Sequence, residues 1–597
     1  MRFSKFTIAC LLVIGVYSGF SQEYKVHSHN DYQQNIPLWK ALGAEVNSIE
    51  VDVFYENGKL MVAHELDEIQ EYRTLERLYL DPLKEVLQLD LIANRSLQLM
   101  IDVKTNAYTT IDAIVEVLKK YPLITNSTNV RIVVSGNRPK VEEYVNYPDY
   151  IFFDYQSLQP VTDTKSLDKI AMVSLSFKKY SQWNGKGRLT AKDYKNVAEV
   201  IEKAHELNKP FRFWATPDSK SAWKAFANMG VDYINTDMPN KCVTYLSSLK
   251  DRVVSNTVFS EVYTPTFKSD QTQRTPKNII LMIGDGNGLT QMSSAILANN
   301  GALSLTQLKS IGLIKTQSAD DFTTDSAGAG TAIATGEKTN NRAIGTDING
   351  EAIPNLTEIL TENGFNTGIV TTDEITGATP SSFFAHQTDR GMVKEIALDL
   401  HDAALKLFIS QPTHTVHRIE DAGFVMKSDI STVGSSTDKK VGAWFHKSTE
   451  KKAELNVSKL AIASKNAISF LDKKEKPFFL LLEGAKIDSY GHANDIKGVV
   501  QESISFDKAI TEVLKFADAD KNTLVIITAD HETGGLTIPQ GNVGNHEIEA
   551  DFTTHDHTGV MVPVFAYGPM SQEFQGVYEN NEIFLKLLNI MKISTKK

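Results

Sequence analysis

Residues 323–335 read TTDSAGAGTAIAT, and they place one hydroxyl, Ser326, where a helix is expected to begin. Asp325 has the chemistry of an N-cap, and Ala327, Gly328, Ala329 and Gly330 are small enough to let backbone approach a bound anion. The unpaired N–H groups and positive dipole end of a helix start would face that anion. An isolated Asp-Ser pair is more often an ordinary cap, so the surroundings decide its reading. Carboxylates and imidazoles recur in this half of the chain, each at the end of an apolar run or beside a glycine. Asp285 lies near the end of NIILMIGDG; Glu483 and Asp488 lie in FFLLLEGAKID with His492 beyond; Asp530 and His531 lie near the end of TLVIITADHE; His557 lies in HDHTG, just before the apolar run 560–567. Short continuous apolar runs suit strands buried on both faces. In an open α/β sheet the carboxyl ends of such strands line one crevice, so residues distant in sequence would converge there. Mixed Asp/His sets suit divalent cations, zinc in particular.

Working outward, strands are expected at 279–283, 367–371, 478–482, 524–528 and 562–567, alternating with helices at 355–362, 452–471 and 498–516. The pattern predicts a mostly parallel sheet covered by helices on both faces. Residues 412–448 are polar and irregular and are expected to form a cap near the site.

Six motifs in this order, MIGDGNG (282–288), DSAGAGTA (325–332), ATPSSFFAHQTDR (378–390), EGAKIDSYGH (483–492), TADHETGG (528–535) and HTG (557–559), make the half-chain from Lys277 resemble an alkaline phosphatase. The resemblance implies an α/β sandwich that hydrolyses phosphate monoesters through a phosphoserine on Ser326, with Arg390 gripping the phosphate. It implies a first zinc on Asp488, His492 and His557, and a second on Asp530, His531 and a bridging Asp285. Magnesium would lie on Asp285, Thr379 and Glu483. Phosphoryl transfer needs stabilised charge on both apical oxygens, which two metals roughly 4 Å apart supply, and an equatorial clamp suited to the planar fork of arginine. Two positions depart from the family pattern: Gly377 stands where the family has Asp or His, and Ser489 where it has Lys or His. Altered metal dependence is expected from these two changes in the outer shell. A sulfatase would need Cys or Ser in a C/S-x-P-x-R setting, whereas Ser326 precedes Ala-Gly-Ala; a phosphodiesterase of the same superfamily is the alternative.

Residues 23–250 read differently. Eight β runs (YKVHSH, SIEVDVF, LQLMIDV, VRIVVSG, YIFFDY, IAMVSLSF, FRFWATP and DYINTDM) are separated by helical stretches, with a hairpin around Asn57-Gly58, and predict a (β/α)8 barrel. Glu50 and Asp52, two apart, point to one face of their strand, the barrel interior, and paired inward carboxylates call for a divalent cation. HSHNDY (27–32), IEVDV (49–53), VAH (62–64), DVK (102–104) and GVDYINTDMP (230–239) resemble the glycerophosphodiester phosphodiesterase and phosphatidylinositol phospholipase superfamily. That resemblance implies magnesium or calcium on Glu50, Asp52 and Asp102, with His27 or His29 and His64 as acid and base. Ser28 replaces the family's phosphate-binding Arg and Asp102 replaces a Glu, so a barrel kept only as a ligand-binding module is the alternative.

Residues 1–21 carry Arg2 and Lys5, an apolar run from Ile8 to Val16 and the small-x-small Gly19-Phe20-Ser21. This is the pattern of a secretory signal peptide, and a periplasmic or secreted protein is expected. Cleavage leaves Cys242 as the one cysteine and hence no internal disulfide. Residues 251–276 lose apolar periodicity and are expected as a linker or packed arm before a phosphatase domain at 277–597. With 62 Lys and Arg against 73 Asp and Glu, net charge is −11. No basic stripe stands out to neutralise a polynucleotide, and no membrane span is expected. The expected partners are small phosphate esters, with assembly as a homodimer left open.

Overall fold

The computed structural model describes residues 24–445 and 452–594; the expected signal peptide lies outside them. The chain divides into two compact units, Met1–Leu249 and Lys250–Lys597. No helix among the described residues is long and apolar enough to cross a membrane.

The first unit is a closed barrel of eight parallel strands. The first, Lys25–Ser28, pairs with both Ser48–Glu56 and the last, Tyr233–Thr236, which closes the ring. Each expected β run supplies one strand. The hairpin strand Lys59–Val62 pairs antiparallel with Ser48–Glu56 across Asn57 (φ 51) and Gly58 (φ 77), the left-handed pair that a tight two-residue turn requires. Alternation along Leu97–Val103 turns Gln98, Met100 and Asp102 to one face. Met100 packs with Val133, Ala171 and Met172, so apolar side chains fill the barrel below while Asp102 faces its mouth.

The second unit is built on a ten-stranded sheet in which Val562–Tyr567 alone runs against the others. The central strand Asn278–Gly284 lies between Phe478–Gly484 and Thr523–Thr528, parallel to both. Its side chains alternate between two cores: Ile280 and Met282 enter one, and Ile279, Leu281 and Ile283 the other. A strand buried on both faces has to be apolar throughout, hence the unbroken run NIILMIG. Residues 412–445, expected as a cap, contain two strands of the main sheet instead. Phe424–Lys427 and Lys440–Trp444 extend the sheet in parallel register at one edge. Edge strands carry only partial apolar patterning, which is why the stretch reads as irregular in the sequence.

Residues expected as a linker are stitched to the second unit. Val253–Ser255 pairs antiparallel with Glu547–Asp551, and Ser260 donates to Asp507 (2.8 Å). Asp518, 6% exposed, accepts hydrogen bonds from the Tyr263 hydroxyl (2.8 Å), the Thr266 N–H (3.0 Å) and hydroxyl (2.6 Å), and the Tyr567 hydroxyl (2.6 Å). Burial raises the carboxyl, but donation by Thr266, then Tyr567, reverses this and holds it at about 2. A carboxyl lowered in the folded state stabilises above its unfolded value, and that contribution is lost as pH falls towards the folded one. Replacing Asp518 by Ala should destabilise the protein by about 2–3 kcal/mol at neutral pH. The loss should be measurable by denaturant titration and should shrink as pH approaches 2–3, with earlier proteolysis within residues 256–268.

Candidate active site and metal centres

Because the strands are parallel, their carboxyl ends share one edge of the sheet. Asp285 follows Asn278–Gly284, Glu483 lies near the end of Phe478–Gly484, and Asp530 and His531 follow Thr523–Thr528. The antiparallel Val562–Tyr567 begins at that edge, so His557, in a two-residue strand paired with Glu532–Thr533, arrives at the same place. Asp488 and His492 lie on the short helix Lys486–His492. Gly286 (φ 68) is required by this crowding, since a Cβ there would lie 2.7 Å from the Asp488 Cα.

Ser326 opens the helix Ser326–Thr335, with Asp325 as N-cap accepting from the Gly328 N–H (2.9 Å). The Ser326 hydroxyl is 3.3 Å from His531 Nε2. The other oxygen of Asp325 holds Arg390 Nη1 at 3.1 Å, so the residue that caps the helix also aims the guanidinium. Asp325, Ser326, Arg390, Asp488, His492 and His557 line one cavity of about 330 Å³.

The three imidazoles are oriented alike. His557 Nδ1 donates to the Thr324 carbonyl (2.7 Å), His492 Nδ1 to the His555 carbonyl (2.5 Å), and His531 Nδ1 to the Thr533 hydroxyl (3.2 Å), which itself donates to Asp488 Oδ1 (2.6 Å). Each Nε2 is thereby left as an acceptor, and those of His557 and His492 face each other at 3.1 Å. Facing lone pairs at that distance are what a shared cation relieves. Ligand atoms of Asp488, His531 and His557 lie within 4.8 Å of one another, as do those of Asp285, Asp530 and His531. His492 Nε2 is 3.4 Å from Asp488 Oδ2, bringing it to the first of these sets.

Electrostatics point the same way. Burial, then Asp530 and Asp488, pushes Asp285 well above the carboxylate range; burial, then Asp488, raises Asp530 to about 6; burial, then Asp373, raises Glu483 to about 8. Such carboxylates cannot all ionise without added positive charge. Asp285 Oδ1, Asp530 Oδ2 and Thr379 Oγ1 are buried without a hydrogen-bond partner. The donor set therefore fits divalent cations.

The barrel gathers Glu50, Asp52 and Asp102, with ligand atoms within 4.8 Å, but supplies its own cations. Arg212, buried on Phe211–Trp214, donates to Glu50 Oε2 (2.6 Å) and touches His27, while Lys104 bridges Asp52 (2.8 Å) and Asp102 (2.7 Å). Burial raises Glu50, yet Arg212, then His29, holds it well below the carboxylate range. Asp102 goes up to about 6 through burial and then Glu50. Asp52 Oδ1 and Asp102 Oδ1 remain buried and unpartnered, so the internal cations leave these two oxygens uncompensated. His27 is fully buried against Ser48 (2.8 Å) and Glu50 (2.8 Å), whereas the His29 and His64 side chains are 24% and 44% exposed at the mouth. Burial and then Arg212 lower His27 to about 3, keeping it neutral.

Arg212, Thr533 and the His555 carbonyl are absent from the residues the sequence singles out for chemistry. Thr533 lies inside the TADHETGG motif, two residues after His531; Arg212 gives no signal beyond a charge within an apolar run.

Comparison with known proteins agrees with this geometry. An alkaline phosphatase family model matches residues 276–420, 446–551 and 540–593. An AIM6-like phosphodiesterase domain matches 21–93, and a glycerophosphoryl diester phosphodiesterase family matches 210–240. Alkaline phosphatase 4 of Bacillus subtilis is 29% identical over 409 residues, covering 53% of this chain and 89% of the relative. The alkaline phosphatase of Escherichia coli is 30% identical over 414 residues, covering 54% and 87%. The solved alkaline phosphatase of the Antarctic bacterium TAB5 is 39% identical, covering 54% of this chain and all of that one, with a TM-score of 0.50; a variant of it was solved with magnesium bound in its M3 site. Through residues 276–593 the chain thus belongs to the alkaline phosphatase family, and it is a phosphoric monoester hydrolase joined to a phosphodiesterase-like barrel.

Proposed function

We propose that the second unit releases orthophosphate through a phosphoserine intermediate on Ser326. The observation that carries this reading is one cavity holding the Ser326 hydroxyl, 3.3 Å from His531 Nε2, together with the Asp325-anchored guanidinium of Arg390. Arg390 would bind two non-bridging oxygens of the ester and orient phosphorus in line with Ser326 Oγ. Attack forms the Oγ–P bond and breaks the bond to the leaving oxygen; water then attacks the same phosphorus, freeing Ser326 and orthophosphate. The helix N-terminus at Ser326 adds its dipole to the hold on the phosphoryl oxygens. Asp488, His492 and His557 would hold one zinc, Asp285, Asp530 and His531 a second, and Asp285, Thr379 and Glu483 magnesium. Such ions supply a lowered pKa for the serine hydroxyl and for water, and charge stabilisation on the apical oxygens.

For the barrel, the proposal is cleavage of a diester to the monoester that the second unit consumes. His29 and His64, at the mouth, would act as acid and base, with His27 as a buried support. Magnesium or calcium would lie on Glu50, Asp52 and Asp102. The Arg212–Glu50 pair favours a second reading, a barrel that binds its ligand without cleaving it. The leader-like residues 1–21 support export to the periplasm or medium.

Substituting Ser326 by Ala should lower kcat/KM on a chromogenic phosphate monoester by at least about 1,000-fold while leaving thermal unfolding unchanged. Acid quenching of the parent enzyme should trap phosphate on the peptide bearing Ser326. Turnover that survives this substitution, or resists chelation, would rule out the serine pathway. On a bis-substituted diester, the intact chain should release orthophosphate and a Glu50→Ala, Asp52→Ala double variant should not; equal release by both would assign the barrel to binding.

A further inference from the structure

Gly377 and Ser489 lack the side chains that the family pattern places around the magnesium ligands, and the fold answers both from nearby positions. Asp373, at the end of the strand Asn366–Glu374, directs its carboxylate into the space above Gly377: a Cβ built there would lie 2.6 Å from Asp373 Oδ2. The Gly377 backbone, at φ −61, would accept any L residue, so what a side chain there would meet is the Asp373 carboxylate and not a conformational barrier. Lys486 Nζ donates to the other oxygen, Asp373 Oδ1, at 2.8 Å. Lys486 lies on the same short helix as Ser489, and the two share the wall of a cavity of about 300 Å³ with Thr372.

Both residues are tied to the ligand segments. The Asp373 N–H donates to the Thr371 hydroxyl (2.9 Å), which donates to Glu483 Oε2, and the Ala485 N–H donates to the Thr372 hydroxyl (2.8 Å). Thr371 and Glu483 are paired residues of adjacent parallel strands, so a shift of Asp373 is transmitted to Glu483 through one hydroxyl. Asp373 is also the charged neighbour that Glu483 feels most.

We propose that Asp373 and Lys486 form the positioning pair of the third metal site, relocated from positions 377 and 489. This rests on the reading of Asp285, Thr379 and Glu483 as magnesium ligands. Magnesium keeps several of its waters, which need outer acceptors to orient them; the Asp373 carboxylate is that acceptor, and Lys486 fixes its direction. A half-exposed ion pair contributes little to folding stability, so a merely structural role predicts no change in metal affinity.

The test is magnesium titration of the zinc-loaded full-length protein by calorimetry, with metal content measured after desalting. Asp373→Ala should weaken magnesium binding by about 10- to 100-fold with zinc content unchanged. Adding Gly377→Asp to that variant should recover most of the loss, whereas Gly377→Asp alone should not tighten binding, because its space is taken. The isosteric Asp373→Asn gives the same reading should the Ala variant fail to fold. Magnesium binding by the parent that neither Asp373 variant weakens overturns the proposal alone. A parent protein that takes up no magnesium overturns the third-site reading and the proposal with it.

Discussion

Negative charge gathered where water is scarce is the constraint around which the second unit is organised. Asp285, Glu483 and Asp530 lie buried at one edge of the sheet, with Asp488 half-buried beside them and acceptor nitrogens of three histidines turned inward. Burial and mutual repulsion lift three of these carboxyls above their ordinary range. Such a set persists in a folded protein when cations join it or protons neutralise it. The uniform tautomer, imposed by acceptors at each Nδ1, leaves the Nε2 atoms suited to cations.

The barrel shows the other solution to the same problem. There Arg212 and Lys104 are built into the acidic cluster, and Glu50 falls well below the carboxylate range instead of rising. Only the unpartnered oxygens of Asp52 and Asp102 still call for a cation. Two acidic clusters in one chain thus differ in where the compensating charge comes from. In the phosphatase unit the guanidinium of Arg390 is held by the helix cap Asp325 and borders the cavity that Ser326 lines.

Rigidity at the site follows from the sheet. Strands buried on both faces have little freedom to slide, and residues just past their ends inherit that order. The arm from Val253 onward adds to it by bringing Ser260, Tyr263 and Thr266 onto Asp507 and Asp518 of the long helix Ile496–Asp520, which packs on the central strands.

Much of this was legible in the amino-acid order. The eight barrel runs, the Asn57-Gly58 hairpin and the unbroken apolar strands of the sheet follow from periodicity, because burial on one face or two writes itself directly into polarity. The gathered acids and histidines were legible because each lies close to the end or start of such a run or beside a glycine. The edge strands within 412–445 were not, since a strand at the rim needs little apolar patterning. Nor were the partners that give these residues their chemical state: Arg212 against Glu50, Thr533 and the His555 carbonyl behind the imidazoles, Asp373 in the space over Gly377. Local sequence determines which residues can carry charge or end a strand. Distance, tautomer and compensating charge arise between segments far apart along the chain, and only the tertiary structure decides them.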